Sequence, residues 1–355
     1  NRASELKIVF SPIHGTGITL VPSALEKFGF ENITIVSEQA QPDGNFPTVI
    51  YPNPEEAEAL EIALKAAKNI DADLVLATDP DADRVGIAAK NVNHEFELLN
   101  GNQTAALLIY YLLTMWKEKG QLKGQEYIVK TIVTTELISA IAAHFNVTCL
   151  DTLTGFKYIA EKIRQLESTQ TFIGGGEESY GYLIGDQVRD KDAVMSCAMI
   201  AELTAWAKDQ NKTLFDVLLD IWIEFGLYHE GLISITKKGK TGAQEIQQIM
   251  KTLRNTPPIF LNDILVTDII DYSNLTHLET KTKKILPLDS HESNVLQFIT
   301  EDRSRISIRP SGTEPKIKIY FSVHSSLQSK SELKEKKDQL DTQISKLSKS
   351  LLKHF

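Results

Sequence analysis

The first hundred positions alternate between two textures. Short apolar runs at 6–10, 33–36 and 72–77 are separated by segments, 18–28 and 55–68, whose apolar residues recur at helical spacing. Apolar runs of this length bounded by turn formers read as buried strands, and the three-to-four-residue period reads as amphipathic helix. Strand and helix in alternation build a mostly parallel sheet with helices on both faces. The texture resumes after Asn100, predicting helices over 102–116, 136–144 and 193–208 and strands over 127–133 and 171–173. After about Gly231 it changes. Segments 232–236, 306–308 and 316–321 alternate apolar and polar residues, as half-buried antiparallel strands do. Near the end Leu340, Ile344, Leu347 and Leu351 recur at helical spacing, with Lys336, Lys337, Lys346 and Lys349 between them; this is a docked helix with a solvated lysine face. The fold class is therefore α/β, with strand–helix alternation and a mostly parallel sheet arrangement up to about 230, followed by an α+β domain. No internal repeat of fixed period is visible.

Composition changes this picture little. A chain of 355 residues is longer than one core usually organises, in keeping with several domains. A net charge of -9 argues against a nucleic-acid partner. Cys149 and Cys197 are the only cysteines and are far apart, so neither a disulfide framework nor a structural zinc site is expected, and a reducing cytoplasm fits better. The most apolar run, 105–115, is about half of the ~20 residues that span a bilayer and reads as a buried helix rather than a membrane segment. No signal peptide precedes the first strand, and a start in the middle of a longer protein is expected.

Candidate chemistry lies in the loops. Asp79-Pro80-Asp81-Ala82-Asp83-Arg84 follows the apolar strand at 72–77. Carboxylates at every second residue of an extended loop point to one side. Three hard oxygen ligands in so short a span suit magnesium, and ligands of α/β sheets bind beyond the carboxyl ends of strands. An EF-hand is excluded because Arg84 and Lys90 stand where Gly and Glu are needed. A haloacid-dehalogenase-type phosphatase would carry a hydroxyl residue where this chain has Asp83, and an acidic surface turn is the plain alternative. Gly174-Gly-Gly-Glu177-Glu178-Ser179-Tyr180-Gly181 follows the strand at 171–173 and offers an acceptor and a donor for sugar hydroxyls, or simply a turn. Arg309-Pro-Ser311-Gly312-Thr313-Glu314 joins two strands and could clamp a phosphate or be an ordinary hairpin loop. Weaker signals are Ser11-Pro-Ile-His14-Gly15-Thr16-Gly17, where His14 is expected to be a structural hydrogen-bonder, and Thr154-Gly155-Phe156-Lys157.

Taken together and in this order, these loops, with Arg189-Asp-Lys191-Asp192, resemble the α-D-phosphohexomutase superfamily of phosphoglucomutases and phosphomannomutases over essentially the whole chain. Glu178 and Tyr180 make the sugar loop look more like that of phosphoglucomutases. The resemblance implies domains two, three and four of a four-domain enzyme: two α/β domains with mixed or parallel sheets at 1–98 and 99–230, then a C-terminal α+β domain at 231–355. The phosphorylated serine of domain one lies in a Thr-x-Ser-His-Asn-Pro type motif, which the sequence does not contain. It implies magnesium at Asp79, Asp81 and Asp83, with Arg84 near the phosphoserine and Lys191 as general acid/base with a lowered pKa. Gly155, Glu177 and Ser179 would hold the sugar, and Arg309, Ser311, Gly312 and Thr313 the non-reacting phosphate. The implied reaction interconverts glucose 1-phosphate and glucose 6-phosphate, with glucose 1,6-bisphosphate as primer and intermediate. Phosphomannomutase or phosphopentomutase activity, or a non-catalytic sugar-phosphate-binding protein, are the alternatives. The implied partner is a small sugar phosphate, with no nucleic acid and no membrane, and the oligomeric state is left open.

Overall fold

The computed structural model describes residues 2–237, 239–312 and 314–355, in two compact units, Asn1–Ile221 and Trp222–Phe355. The first unit opens with β1 (Lys7–Ser11), α1 (Val21–Lys27), β2 (Asn32–Ile35), α2 (Ser37–Ala40), α3 (Glu61–Ile70), β3 (Leu74–Thr78), β4 (Val85–Lys90) and β5 (Phe96–Leu99). Their sheet has the order β2-β1-β3-β4-β5. β1 is parallel to β2 and β3, whereas β3–β4 and β4–β5 are antiparallel. The two antiparallel strands depart from the expected strand–helix alternation. The residues of β4 from Val85 to Ala89 are all buried, so no period-two pattern marks the strand in the sequence.

The unit continues with α4 (Gly101–Glu118), β6 (Glu126–Thr131), α5 (Leu137–His144), β7 (Thr148–Thr152), α6 (Phe156–Leu166), β8 (Thr171–Gly176), β9 (Tyr182–Ile184) and α7 (Ala193–Asp209). The second sheet has the order β7-β6-β8-β9, with β6 parallel to β7 and β8, and β9 antiparallel to β8. This is the plan of the first sheet again. In both, the first strand lies between the second and third, and the fourth runs back along the third. The architecture thus repeats although the sequence shows no repeat, because topology depends on where apolar runs fall and not on which residues make them.

Local chemistry fixes several boundaries. The predicted helix over 18–28 begins as a 3-10 turn, and α1 starts only at Val21, with Pro22 in its first turn, where a missing N–H costs nothing. The helix predicted from 55 likewise starts as a 3-10 turn, and α3 runs on to a left-handed cap at Asp71. α4 is opened by a capping box between Asn100 and Gln103. The Asp192 side chain caps α7 through the Met195 N–H. α3 packs on the first sheet through Ala63 and Ala67 against Val9, Val75 and Ala88, and α6 on the second through Ile159 and Ile163 against Tyr127 and Val129.

α8 (Leu214–Phe225) leads to the second unit, made of β10 (Leu227–Thr236), α9 (Gly239–Asn255), β11 (Phe260–Leu261), β12 (Ile264–Asp271), β13 (Thr276–Glu279), β14 (Lys284–Pro287), β15 (Leu296–Thr300), β16 (Arg305–Pro310), β17 (Lys316–Ser325) and α10 (Leu333–Leu351). Its sheet has the order β10-β17-β16-β15-β12-β13-β14, with β11 beside β12, and every pairing is antiparallel. α10 lies on β10 and β17 and buries Leu340, Leu347 and Leu351, as its periodicity predicts. Among the described residues no helix is long and apolar enough to cross a membrane.

Candidate active site

The repeated plan puts two functional loops at equivalent places. Asp79–Arg84 connects β3 to β4, and Glu177–Gly181 connects β8 to β9. Each lies beside the loop that follows the first strand of its sheet, at the topological switch point where open α/β sheets bind ligands.

The aspartate loop is not extended. Ala82 donates its N–H to the Asp79 carbonyl (3.1 Å) and takes a left-handed φ of 58°. The chain therefore folds back on itself, and this turn, rather than alternation along an extended segment, gathers the carboxylates. Asp79 Oδ1 accepts the N–H groups of Asp83 (3.0 Å) and Arg84 (2.9 Å). One ligand atom each of Asp79, Asp81 and Asp83 lies within 4.8 Å of the others. The turn at 11–17 supports the loop from below. Thr16 donates both its N–H (2.8 Å) and its hydroxyl (3.0 Å) to the Pro80 carbonyl. A Cβ at Gly15 would lie 2.4 Å from Pro80 Cα and one at Gly17 2.4 Å from Thr78 Oγ1, so the two glycines permit this approach. Ile13 and His14, both at positive φ, bend the turn into place. His14 is buried between the Gln41 carbonyl (3.1 Å) and Thr48 Oγ1 (2.9 Å), which is a structural role. Ser11 is also buried, donating to Gln39 Oε1 (2.6 Å).

Electrostatics favours a cation here. Burial pushes the Asp79 carboxyl up to about 7; the charges of Asp83 and Asp81 add to this and the N–H bonds oppose it. Arg84 donates to Glu55 (2.8 Å), and its Nε lies 3.8 Å from both Asp79 and Asp83. Three converging carboxylates, one of them so reluctant to ionise, are a donor set that fits a hard divalent ion.

Lys191 joins the two loops. Its Nζ is 2.7 Å from Asp83 Oδ2 and 3.3 Å from Asp190, and it lies 5.7 Å above the Phe156 ring. Its stem crosses Gly181 so closely that a Cβ there would be 2.1 Å from Lys191 Cδ. The expected lowering of its pKa is not what the site produces. Burial does pull the ammonium down, but the carboxylates of Asp83 and Asp190 outweigh it and hold the group above its ordinary range.

The sugar-loop residues fall together. Glu177 is buried, and its Oε1 accepts the N–H of Gly155, which has a φ of 115° at the N-cap of α6. The Glu177 N–H donates to the Gly181 carbonyl (2.9 Å), closing a turn with Tyr180 at a positive φ of 68°. The Val85 N–H donates to the Tyr180 carbonyl (3.0 Å) and ties this turn to the strand leaving the aspartate loop. Ser179 is half-buried, and its hydroxyl has no hydrogen-bond partner among the described residues. In the second unit, Arg309 stands at the end of β16 without a carboxylate partner among the described residues. Ser311 Oγ accepts the Glu314 N–H (3.2 Å), Gly312 is exposed, and Thr313 lies outside the described residues.

Some supporting residues escape a reading of the sequence. Lys318 lies directly opposite Arg309 across β16 and β17, on the same face of the sheet. Like charges so placed repel, so the pair is suited to an anion; only the register reveals it. Gly101 abuts the Glu178 carbonyl, and a Cβ there would be 1.9 Å from that oxygen. Lys157, Arg164 and Arg189 line an open cavity of about 480 Å³ on the outer face of α6.

The chain is similar to known proteins over most of its length. Residues 1–93 match the model of phosphoglucomutase/phosphomannomutase alpha/beta/alpha domain II, 100–225 that of domain III, and 236–340 that of the C-terminal domain. The chain is 37% identical over 323 residues to a phosphoglucomutase of Staphylococcus haemolyticus, covering 90% of this chain and 58% of that protein. It is 39% identical over 322 residues to a phosphoglucomutase of Staphylococcus aureus, covering 90% and 57%. The chain thus spans under two thirds of the length of these relatives. In fold it is similar to the open form of parafusin, a phosphoglucomutase from Paramecium (TM-score 0.62, 18% identity, 92% of this chain and 54% of that one). It is also similar to a phosphoglucomutase/phosphomannomutase family protein of Burkholderia thailandensis (TM-score 0.60, 17% identity, 95% and 59%). With three domain models matched in order, the chain belongs to the phosphoglucomutase/phosphomannomutase family of the α-D-phosphohexomutase superfamily.

Proposed function

We propose that the chain is the metal-, sugar- and phosphate-binding part of a cytoplasmic phosphoglucomutase, which interconverts glucose 1-phosphate and glucose 6-phosphate through a phosphoserine and glucose 1,6-bisphosphate. The observation that carries this reading is Lys191, which bonds to Asp83 while lying across Gly181 and so couples a carboxylate cluster to a sugar-sized polar turn. Asp79, Asp81 and Asp83 would hold magnesium, which neutralises the charge of a transferring phosphoryl group when bound. Glu177, fixed by the Gly155 N–H, would accept from a sugar hydroxyl, and Ser179 would donate to another. Lys191, with its pKa held up by Asp83, would donate a proton to the oxygen of a departing phosphate ester. Arg84, set 3.8 Å from two of the carboxylates, would lie beside the reacting phosphoryl group. Arg309, Ser311, Gly312 and Thr313, with Lys318, would take the non-reacting phosphate. In this reading 1–98, 99–230 and 231–355 are successive domains of the enzyme.

The test is a coupled mutase assay beside calorimetry on the 355-residue chain. The chain should bind magnesium and glucose 6-phosphate yet show no turnover, even with glucose 1,6-bisphosphate added, because a mutase stores its phosphoryl group on a serine that this sequence lacks. The same assay with a longer polypeptide carrying the serine motif should show turnover. Turnover by the chain itself, with a phosphorylated serine found in it, would overturn the assignment, as would tighter binding of mannose 6-phosphate or ribose 5-phosphate than of glucose 6-phosphate.

A further inference from the structure

Glu178 lies between Glu177 and Ser179 but has no task in the proposed function. Its carboxyl turns inward, away from the sugar side. Thr131, at the end of β6, and Thr134, in the following loop, both buried, point their hydroxyls at it. The three oxygens form a triangle, with Thr131 Oγ1 to Thr134 Oγ1 at 2.8 Å, Thr131 Oγ1 to Glu178 Oε2 at 3.2 Å and Thr134 Oγ1 to Glu178 Oε2 at 3.3 Å.

Counting the hydrogens within this triangle favours one protonation state. Three contacts need three, and two hydroxyls carry one each. An ionised Glu178 brings none, so one side of the triangle would be two lone pairs face to face against two buried hydroxyls, which is costly. A protonated Glu178 supplies the third and closes the ring. Burial raises the Glu178 pKa and the Glu177 charge beside it raises it further; its own N–H and the hydroxyls of Thr131 and Thr134 oppose this without cancelling it. The other titratable groups nearby do not offset this. Tyr182 is buried and itself held well above its ordinary value, and the Tyr180 pKa is pushed up to about 12. Lys130 is the neighbouring cation; its ammonium reaches the Thr134 carbonyl (3.5 Å), but it is paired with the carboxylates of Glu136 (2.9 Å) and Asp151 (2.8 Å).

We infer that Glu178 is a positioning residue, kept as a neutral acid that closes a three-hydrogen-bond ring with Thr131 and Thr134 and so fixes the turn presenting Glu177 and Ser179. The ring is the second sheet's counterpart of the bonds from Thr16 to the Pro80 carbonyl in the first sheet. In both cases the loop after the first strand grips the functional loop after the third. The opposite side of the turn is blocked by Gly101, so the two contacts leave the Glu178 backbone one position. The sugar-related part of this inference rests on the proposed function; the protonation state does not.

The experiment is carbon-13 NMR of the full chain labelled at glutamate carboxyls, with Glu178→Gln to assign the signal. The Glu178 signal is expected at the position of a protonated acid at pH 7; a signal at the ionised position would overturn the neutral ring. Calorimetry with glucose 6-phosphate tests positioning. Thr131→Val, which removes one ring hydroxyl, should weaken binding about tenfold, roughly the worth of one net hydrogen bond. Thr131→Ser, which keeps the hydroxyl, and Glu178→Gln, whose amide supplies a hydrogen, should bind like the wild type. Unchanged affinity in Thr131→Val would overturn the positioning role. If the wild-type chain fails to bind glucose 6-phosphate, the proposed function fails while the NMR result still decides the ring.

Discussion

Gly101 offers the sharpest test of how the sugar turn is held. It is the first residue of α4, after the Asn100 cap, and its Cα hydrogens face the backbone of the turn. In Gly101→Ala the new Cβ would lie 1.9 Å from the Glu178 carbonyl oxygen, 2.7 Å from its carbon and 3.0 Å from the Tyr180 nitrogen. All three are backbone atoms, so no side-chain rotation relieves the clash. Alanine in a helix gains about 0.5–1 kcal/mol over glycine, but overpacking costs about 1–3 kcal/mol and at times more. The overlap is deep, so the clash should win, with a net loss of about 1–2 kcal/mol by these two ranges. Urea unfolding followed by circular dichroism measures this, with Gly44→Ala as the control. No atom lies within 4 Å of a Cβ at Gly44 and its φ is ordinary, so that change should stay within about 0.5 kcal/mol of the wild type. Glucose 6-phosphate affinity should fall in Gly101→Ala alone, because the displaced turn carries Glu177. If both variants were equally stable and bound equally well, the close approach of α4 would not hold the turn, and the account of its positioning would be wrong.

Other outcomes follow from the same geometry. Asp81, the exposed member of the carboxylate cluster, supports no hydrogen bond of the loop, so Asp81→Ala should sharply weaken magnesium binding with little change in thermal stability; unchanged binding by calorimetry would remove it from the ligand set. Arg309→Ala should weaken glucose 6-phosphate binding by about 1.5–3 kcal/mol, the range for hydrogen bonds to charged groups, without changing affinity for unphosphorylated glucose. Burial holds the His324 imidazole below its ordinary 6.5, with Arg303 adding to this and Asp302 opposing it, so the folded chain favours the neutral form. Its contribution to stability is complete above pH 6.5 and is lost as pH falls from there through the folded value. Urea titrations of His324→Gln should therefore show a shallower loss of stability below pH 6.5 than the wild type.

The sequence alone carried the order of the loops, the buried strands that end in them, and the residue types that suit metal, sugar and phosphate. These are local properties: apolar runs seek the core, and carboxylates, glycines and hydroxyls cluster where chain and ligand must meet. It did not carry β4, whose buried residues leave no alternation to read, nor β5, α8 and α9. The convergence of Asp79, Asp81 and Asp83 depends on a left-handed residue, Ala82, that sequence does not single out. The raised pKa of Lys191 depends on Asp83, more than a hundred positions away in the chain, and so reverses the expected lowering. The pairing of Arg309 with Lys318 needs strand register, and the ring of Thr131, Thr134 and Glu178 needs two parallel strands side by side. The repetition of one sheet plan in two unlike stretches of sequence is likewise visible only in three dimensions. Patterns along the chain specify which residues are buried and which are available, but hydrogen bonds, charge pairing and close backbone contacts act through space, and those decide the chemistry of the site.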